Sequence, residues 1–426
     1  MSANKRIVLT THGTLGDLHP FLALAVELQA RGHKAVIATS EFHRSSVETA
    51  GVEFHPLRPD VALDDREVHA RLTEPRRGME RVIREFMLPV LKQTYDDLLE
   101  AVQKNHADVL ISQILIFAAP LVAEKTGVTW ISTELQPGAF MSAYDPPMLA
   151  AVPSLAKLRS LGPTFHLPLF HAARLSAHFW SNPVRQLRRE LELPGGKDPL
   201  FAGRHSPQLV LALFSRVIGS PQRDWPNNTL VTGFPFYDEY RGAVPTEVET
   251  FLSEGEPPIV FTLGSSAVWT AGAFYRESIA AAQILGKRAV LLIGNDPLNK
   301  PADPLPGNVI ALPYAPYAQI FPRASVVVHQ GGIGTTGQAL RAGKPMLVMP
   351  FGGDQYDNGA RIERLGVGRL IMRKRYTAER AAVELNQLLN NSNYRKRAEE
   401  VARQVQNEDG VRVACDAIER LTRVHP

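Results

Sequence analysis

The sequence predicts an α/β fold with two parallel β-sheets, one in each half of the chain. Short continuous apolar segments alternate with longer helix-like segments, which is the pattern of strands covered by helices on both faces. The alternation occurs twice, before about residue 133 and again after about residue 259. A length of 426 residues also exceeds what one hydrophobic core usually supports. We therefore expect two Rossmann-like domains facing each other across a cleft, with ligands at the carboxyl ends of the strands.

Hydrophobic periodicity and glycine or serine boundaries define the individual elements. The first half is expected to contain strands at 6–11, 34–39, 108–112 and 129–133, and helices at 20–31 and 118–126. The second half is expected to contain strands at 259–263, 288–293, 324–328 and 346–349, a further strand near 309, and a helix at 273–285. The charged tail from 378 to 424 is expected to be helical.

Composition shifts divide the chain. We assign 1–218 to an N-terminal domain and 246–405 to a C-terminal domain. The segment 219–245 is rich in Pro, Gly and Asn and is predicted to be the linker. Residues 406–426 are predicted to form a helix that packs back toward the N-terminal domain. Between 141 and 204, eight prolines interrupt apolar segments, which is more typical of a cleft wall or lid than of a sheet core.

Net charge, cysteine content and apolar segments argue against several classes of protein. The net charge of +4 arises from 47 basic and 43 acidic side chains, so nucleic-acid binding has no support. The one cysteine, Cys415, forms no internal disulfide and fits a reducing cytoplasm. No secretory signal is visible, and the longest apolar run, 109–123, is too short to span a bilayer. We expect a cytoplasmic, soluble protein, and the arginine run 185–189 leaves contact with a membrane surface open. The sequence does not indicate an oligomeric state.

A glycine- and threonine-rich loop carries the clearest functional signal. A predicted strand runs into Gly331-Gly332-Ile333-Gly334-Thr335-Thr336 and then into a helix. Small residues let backbone amides approach an anion, two hydroxyls add donors, and a helix N-terminus favours negative charge. The loop lacks the G-x-x-x-x-G-K-[ST] pattern, so it is not an ATPase P-loop. It predicts a diphosphate site.

Three other groups of residues extend this predicted site. Asp354 and Gln355 follow the next strand and would grip sugar hydroxyls in the same crevice. Gly264, Ser265 and Ser266 end another strand and offer either further donors or an ordinary helix start. Tyr314 precedes the loop and offers either a ring for a nucleobase or a packing surface.

The turn after the first predicted strand is the candidate for acid–base chemistry. His12, Asp17 and His19 lie in THGTLGDLHP, between strand and helix. One interpretation is a general base that accepts a proton from an acceptor hydroxyl. The other is a plain turn with Asp17 as helix N-cap and Pro20 in the first helical turn. The residues of the turn alone do not decide between them.

Metal binding is not indicated. No two aspartates are separated by one residue, so the D-x-D arrangement that holds a metal-bound sugar nucleotide is absent. We expect no metal and no cofactor, with loop amides and the helix dipole neutralising the leaving diphosphate.

The chain resembles the inverting glycosyltransferases of family 1, which have the GT-B fold. The resemblance extends from THGTLGDLHP through TGFPFYDE to the C-terminal helix and is strongest at YAPYAQIFPRASVVVHQGGIGTTGQALRAGKPMLVMPFGGDQYDN. Bacterial rhamnosyltransferases and sterol and macrolide glycosyltransferases are the most similar members. The resemblance implies an N-terminal domain for the acceptor, a C-terminal domain for the nucleotide sugar, and no metal.

The resemblance also implies roles for individual residues. Asp17 falls at the catalytic base, with His12 as the alternative. Thr335 and Thr336 fall at diphosphate-binding hydroxyls. The remaining donor-side positions are Gln338 for the ribose, Asp354 and Gln355 for the sugar, Tyr314 for the base, and His329 or Gln330 for the diphosphate. On the acceptor side we assign His19, Gln113, Phe117 and Phe140.

Three positions depart from the family pattern. Gln330 stands at the usual diphosphate-binding histidine, although a small shift would bring His329 there. Gln113 replaces an aspartate that orients a catalytic histidine, which favours Asp17 acting directly as base. Gln338 replaces a ribose-binding glutamate.

The sequence therefore predicts an inverting, metal-independent O-glycosyltransferase. The donor would be a nucleotide sugar of the UDP-glucose or dTDP-rhamnose type. The acceptor would be a hydrophobic molecule such as a lipid, a phenolic compound or a polyketide. Two alternatives remain: a non-catalytic nucleotide-sugar-binding partner of another transferase, and a GT-B nucleotide-sugar epimerase or hydrolase.

Overall fold

A computed structural model describes residues 4–61, 65–238, 244–301 and 304–424. It contains two fully parallel sheets, as predicted, one of seven strands and one of six. The strands of the first sheet are β1 Arg6–Thr10, β2 Lys34–Thr39, β3 Glu53–Pro56, β4 Val109–Gln113, β5 Thr129–Glu134, β6 Leu209–Ala212 and β7 Thr229–Val231. Their order is β3-β2-β1-β4-β5-β6-β7.

The second sheet repeats this arrangement. Its strands are β8 Ile259–Thr262, β9 Ala289–Leu292, β10 Val309–Leu312, β11 Val326–His329, β12 Met346–Val348 and β13 Gly368–Leu370. Their order is β10-β9-β8-β11-β12-β13. In both sheets the order reverses direction beside the first strand of the domain, which opens a crevice at the carboxyl ends.

Helices cover both faces of each sheet. The first domain contains α1 Leu15–Ala30, α2 Arg44–Thr49, α3 Arg66–Leu72, α4 Gly78–Arg81, α5 Leu91–Lys104, α6 Ala119–Thr126, α7 Gly162–Ala177 and α8 Asn182–Glu190. The rest of the chain contains α9 Thr246–Ser253, α10 Gly264–Ala267, α11 Phe274–Ile284, α12 Tyr317–Ile320, α13 Ile333–Arg341, α14 Gln355–Leu365, α15 Ala378–Asn390, α16 Ser392–Gln406 and α17 Gly410–Val424. Because the central strands are buried on both faces, they are almost purely aliphatic.

The predicted element boundaries agree with the structure to within one or two residues, with one informative exception. Helix α1 begins at Leu15, five residues before the predicted start, and accommodates Pro20 in its interior. Thr14 is the N-cap and Asp17 occupies the third helical position. The interpretation of Asp17 as N-cap is therefore wrong.

The chain passes from the first domain to the second at a later residue than the one at which the predicted linker begins. Strand β7 lies within 219–245 and pairs with β6, so the chain stays in the first sheet as far as Val231. A three-residue strand between proline- and asparagine-rich turns leaves almost no hydrophobic pattern to recognise. Residues 239–243 of the predicted linker lie outside the described residues.

The last helix returns to the first domain. Ala414, Cys415 and Ile418 on α17 pack in the same hydrophobic cluster as Leu24 and Leu28 on α1. The Cys415 thiol lies 3.9 Å from the Leu24 carbonyl oxygen and is fully buried. This packing holds α17 against α1 of the first domain.

The proline-interrupted segment 141–204 is more helical than its composition indicates. It forms a 3-10 helix at Pro153–Leu161, followed by α7 and α8. Helix α7 buries only His166 and Phe170. Within the described ranges, no helix is long and apolar enough to cross a membrane. Two arginines of the basic run are engaged internally, since Arg185 donates to Ser181 at 2.7 Å and Arg188 pairs with Glu124 at 2.6 Å.

Candidate active site

Asp17 stands on the first turn of α1, at the mouth of the N-terminal sheet. Its Oδ2 accepts a hydrogen bond from the Thr14 backbone N–H at 2.8 Å. Its Oδ1 accepts one from Gln113 Nε2 at 2.9 Å. Gly13, with φ of +128°, allows this arrangement, because a Cβ there would overlap the Asp17 carboxylate.

Gln113 ends β4 and is held in one orientation. Its Oε1 accepts from the His12 backbone N–H at 3.1 Å and from Thr11 Oγ1 at 3.3 Å. A backbone N–H can only donate, so the amide oxygen must face His12 and the amide NH₂ must face Asp17. The glutamine therefore presents a neutral donor to the carboxylate.

Burial and hydrogen bonding act in opposite directions on the Asp17 carboxyl. Burial raises its pKa from 3.8 to about 6, and the hydrogen bonds from Thr14 and Gln113 partly oppose the rise. The group is thus mostly ionised at neutral pH yet basic enough to accept a proton.

The two histidines of this turn are held neutral by burial. Burial lowers the pKa of His12 to about 4, and its Nε2 lies 3.0 Å from the Arg58 carbonyl oxygen. That contact requires a proton on Nε2, so this nitrogen is a donor and not a base. Burial likewise lowers the pKa of His19 to about 4, and its ring lies 5.5 Å from the Tyr237 ring.

Asp354 faces Asp17 from the other domain. Burial and, next in size, the negative charge of Asp17 raise the pKa of Asp354 to about 7. Asn358, one turn along α14, donates to Asp354 Oδ2 at 2.7 Å and to the Gly331 carbonyl oxygen at 2.9 Å. It thus connects the predicted sugar-binding position with the glycine-rich loop, a link that no sequence pattern indicated.

Gln355 stabilises the turn before α14. Its Oε1 accepts from the Phe351 N–H at 2.8 Å and from the Gly352 N–H at 3.3 Å. Only the amide NH₂ is then left for a ligand.

The glycine-rich loop links β11 to α13. Gly331 has φ of +92°, and a Cβ there would lie 2.8 Å from the Gln355 carbonyl oxygen. Thr336 Oγ1 is buried and has no hydrogen-bond partner in the described part of the chain. Gly334 closely approaches Gly16 of the other domain, since a Cβ built on Gly334 would lie 3.8 Å from the Gly16 Cα. The predicted base and the predicted diphosphate loop therefore lie at the same place.

His329 and Gln330 occupy different environments. His329 is fully buried, its Nδ1 accepts from the Gly331 N–H at 3.0 Å, and burial lowers its pKa to about 3. The Gln330 amide nitrogen lies between two glycine-rich strand ends, since a Cβ on Gly332 would lie 2.7 Å from it and one on Gly264 would overlap it. Gln330 therefore faces the loops and His329 lies within the sheet.

Gln338 belongs to a network that the sequence did not indicate. Its Nε2 donates to Asp238 at 3.2 Å, and its Oε1 accepts from Arg341 at 2.7 Å. Arg341 also pairs with Asp238 through two hydrogen bonds, at 2.7 and 2.8 Å. Asp238 lies in TGFPFYDE, and only the fold brings it to α13.

Aromatic rings line the approach to the loop. Tyr314 is 42% exposed, and its ring lies 6.4 Å from that of Tyr317. Tyr317 stacks on Phe321 at 4.5 Å and contacts Thr262 Oγ1 at 2.9 Å through its hydroxyl. The exposed ring of Tyr314 thus lies beside the stacked rings of Tyr317 and Phe321.

A segment of the first domain covers the end of β8. His69 on α3 lies 3.5 Å from Ser266 Oγ through its Nδ1, and its ring is parallel to that of Trp269. Arg66 pairs with Asp296 at 2.6 Å. A Cβ on Gly352 would overlap the Thr73 carbonyl oxygen. This segment carries no sequence motif that would indicate its place beside β8.

Two predicted acceptor-side residues lie inside the protein. Phe117 is buried in the core that covers the N-terminal sheet. Phe140 is buried between Trp225, at a ring distance of 3.9 Å, and His205, at 5.6 Å. The structure brings neither ring to an open surface. Within the described residues there is also no cluster of three or more His, Cys, Asp or Glu side chains suited to a metal ion.

Comparison with known proteins identifies the family. The family model for the "Glycosyltransferase family 28 N-terminal domain" matches residues 7–144. The model for the "Erythromycin biosynthesis protein CIII-like, C-terminal domain" matches residues 286–413. The chain is 32% identical to the O-mycaminosyltylonolide 6-deoxyallosyltransferase of Streptomyces fradiae over 97% of both chains. It is 29% identical to a sterol 3-beta-glucosyltransferase of Penicillium rubens over 97% of this chain, but spans only 30% of that longer protein.

Solved structures show the same fold. The glycotransferase of kitacinnamycin superimposes with a TM-score of 0.74 at 21% identity, over 98% of this chain and 99% of that one. The glycosyltransferase VinC, solved in complex with dTDP, gives 0.68 at 18% identity, over 98% and 100%. Matches along nearly the whole chain, together with the two facing parallel-sheet domains, show that the protein belongs to the family 1 glycosyltransferases with the GT-B fold.

Proposed function

We propose that the protein is an inverting O-glycosyltransferase that moves a sugar from a nucleotide diphosphate sugar to a hydroxyl of a hydrophobic acceptor. The observation that carries the proposal is the position of the Asp17 carboxylate. It is held by Gln113 and Thr14, has a pKa of about 6, and faces Asp354 across the cleft beside the Gly331 loop.

Asp17 is the general base in this proposal. Its carboxylate accepts the proton of the acceptor hydroxyl while the hydroxyl oxygen forms a bond to the anomeric carbon. The bond from that carbon to the diphosphate oxygen breaks on the opposite face, which inverts the configuration. His12 does not compete for this role, because its Nε2 donates to Arg58 and its pKa lies near 4.

Groups of the C-terminal domain stabilise the leaving diphosphate. The amides at the start of α13, the Thr336 hydroxyl without a partner among described residues, and the Gln330 amide NH₂ converge there. Dipoles already aimed at developing charge cost no reorganisation during the reaction. These donors support a transfer that needs no metal, and full activity in the presence of a chelator tests that point.

Asp354 and Gln355 are proposed to bind sugar hydroxyls. Asp354 offers carboxylate oxygens, and Gln355 offers an amide NH₂ because its oxygen is already bonded. Tyr314 offers an exposed ring face for the nucleobase.

A hydrophobic acceptor is supported by the relatives and by the first domain. One relative is named for transfer to O-mycaminosyltylonolide and others for transfer to sterols. In this chain, the segment 141–180 exposes several large apolar side chains, among them Leu167, Leu175 and Phe179.

The test has two stages on the purified chain. A thermal-shift panel of UDP, dTDP and GDP with their sugars identifies the donor, because a ligand that binds the folded state raises the melting temperature. Assays with the stabilising donor then measure glycoside formed on macrolide and sterol acceptors. Release of nucleoside diphosphate without glycoside would indicate a hydrolase. Donor binding without turnover on any acceptor would indicate a non-catalytic partner.

A further inference from the structure

A cavity lined by charged side chains lies between the two domains, beside α14. Its volume is about 280 Å³, and four arginines line it: Arg159, Arg216, Arg361 and Arg364. We call it the arginine pocket. Asp145 is the one acidic side chain among the residues that line it.

The pocket is built from both domains. Arg159 lies in the last turn of the 3-10 helix before α7, and Arg216 follows β6. Arg361 and Arg364 lie three residues apart on α14, so they share one face of that helix. Arg361 stands seven positions from Asp354, which is about 10 Å along the helix. The pocket is thus separate from the proposed sugar-binding position.

Nearby carboxylates do not neutralise all four guanidinium groups. Asp145 accepts from Arg361 at 2.5 Å and also from Arg159. Asp357 accepts from Arg361 at 2.6 Å. Arg364 lies 3.9 Å from Asp145, beyond hydrogen-bond distance.

One further acidic side chain, that of Glu408, lies near Arg216. Glu408 accepts from the Arg216 backbone N–H at 3.3 Å and from Ser215 Oγ at 2.9 Å, so neither bond uses the guanidinium of Arg216. Four guanidinium groups therefore outnumber three carboxylates, and two of those groups, on Arg216 and Arg364, have no carboxylate within hydrogen-bond distance among the described residues.

Buried donors in the pocket are left without partners. Arg361 Nη2 and Arg159 Nε are buried and make no hydrogen bond within the part of the chain described. A buried donor without an acceptor costs free energy. The pKa of Arg364 is lowered by burial and then by the positive charges of Arg361 and Arg159. An anion in the pocket would relieve the repulsion among these positive charges.

We propose that the arginine pocket binds a phosphate-type oxyanion that bridges the two domains. Guanidinium groups recognise phosphate oxygens through paired N–H donors, and two domains contribute them here. The ligand is either inorganic phosphate or the phosphate group of a small phosphorylated metabolite. Because both domains contact it, bound anion stabilises their closed arrangement.

The test uses the full chain at constant ionic strength. Potassium phosphate, sodium pyrophosphate and glucose 1-phosphate each replace KCl, and the melting temperature is measured. At saturating anion the wild-type Tm rises by about 2 °C or more. The double variant R216Q/R364Q loses most of this rise, while R276Q/R395Q, which alters two exposed arginines outside the pocket, keeps it. The anion that gives the half-maximal rise at the lowest concentration distinguishes a free phosphate from a phosphorylated metabolite.

A further pair of measurements separates the pocket from the glycine-rich loop. Thr336→Val keeps the phosphate-induced rise, and R216Q/R364Q keeps the rise that a nucleoside diphosphate produces. The proposal is overturned if R216Q/R364Q responds to phosphate as the wild type does, if Thr336→Val abolishes the response, or if KCl alone reproduces it. None of these outcomes depends on whether the protein transfers a sugar.

Discussion

Gln113 donates a 2.9 Å hydrogen bond to the carboxylate of Asp17, from the end of β4 to the first turn of α1. Where related enzymes are expected to hold a catalytic histidine with an aspartate, this chain holds an aspartate with a neutral amide. A neutral donor stabilises the ionised carboxylate without adding charge, so it favours the ionised form of Asp17 near neutral pH.

Asp17→Asn should nearly abolish glycoside formation while leaving nucleotide binding intact. Removal of a general base typically lowers kcat by about 10²–10⁴-fold. The asparagine keeps the side-chain shape and one acceptor oxygen, so the nucleotide-induced Tm rise should be unchanged. Asp96→Asn, on the exposed face of α5, is the matched control and should be fully active. Near-normal turnover in Asp17→Asn would remove Asp17 from its role.

The wild-type pH profile should show an acid limb near pH 6. Burial raises the pKa of Asp17 to about 6, and only the ionised form accepts a proton. Below that pH, log kcat/KM should fall with unit slope. Initial rates between pH 4.5 and 8.5, at subsaturating acceptor, measure this limb. A midpoint below pH 5 would show that another group governs the reaction.

Gln113→Leu should move that limb to higher pH. The hydrogen bond from Gln113 favours the ionised carboxylate, so its loss raises the pKa of Asp17 by about one unit. We expect lower activity at pH 6.5 and partial recovery at pH 8. Gln186→Leu, exposed on α8, should leave the profile unchanged. A uniform loss at every pH, with no displaced midpoint, would indicate a merely structural role for Gln113.

Asp354→Asn should stabilise the unliganded protein at alkaline pH while weakening sugar transfer. The folded-state pKa of Asp354, about 7, is above its ordinary value of 3.8, so the folded state binds the proton more tightly than the unfolded state does. The ionised group therefore destabilises the protein increasingly as pH rises from about 4 to 7. Discounted for partial exposure, the gain in the variant at pH 8 is about 1 kcal/mol, or a Tm rise of roughly 1–2 °C.

The control for Asp354→Asn is the same measurement at pH 4, where both states of the wild type approach protonation and the Tm difference should be small. Equal stabilisation at pH 4 and pH 8 would contradict the electrostatic cause.

Gly331→Ala should impair donor binding far more than Gly353→Ala. Both glycines have positive φ, so both substitutions carry a backbone cost of about 1 kcal/mol. A Cβ on Gly331 would also lie 2.8 Å from the Gln355 carbonyl oxygen, whereas a Cβ on Gly353 meets nothing within 4 Å. Kd for the nucleoside diphosphate should therefore rise at least about tenfold in Gly331→Ala and little in Gly353→Ala. Equal effects would show that the loop is not the donor site.

Much of the fold followed from local pattern. The strands β1, β2, β8 and β11 were located to within two residues because each is a continuous aliphatic segment ended by glycine or polar residues. The predicted start of α1 was wrong because Gly16 and Pro20 are unusual inside a helix, although the helix begins after its N-cap, Thr14. Strand β7 was not predicted, because three residues are too few to show the hydrophobic pattern of a strand.

What the sequence determined by itself was therefore two parallel-sheet domains, a glycine- and threonine-rich loop, and a carboxylate just after the first strand. These depend on hydrophobic period and on residue type, which are local properties of the chain. Only the tertiary structure decided how the groups act together. It brings Gln113 into hydrogen-bond contact with Asp17 and Gln338 into contact with Asp238, and it places four arginines around one cavity. Those contacts join residues far apart in sequence, and charge, burial and pKa arise from such neighbours.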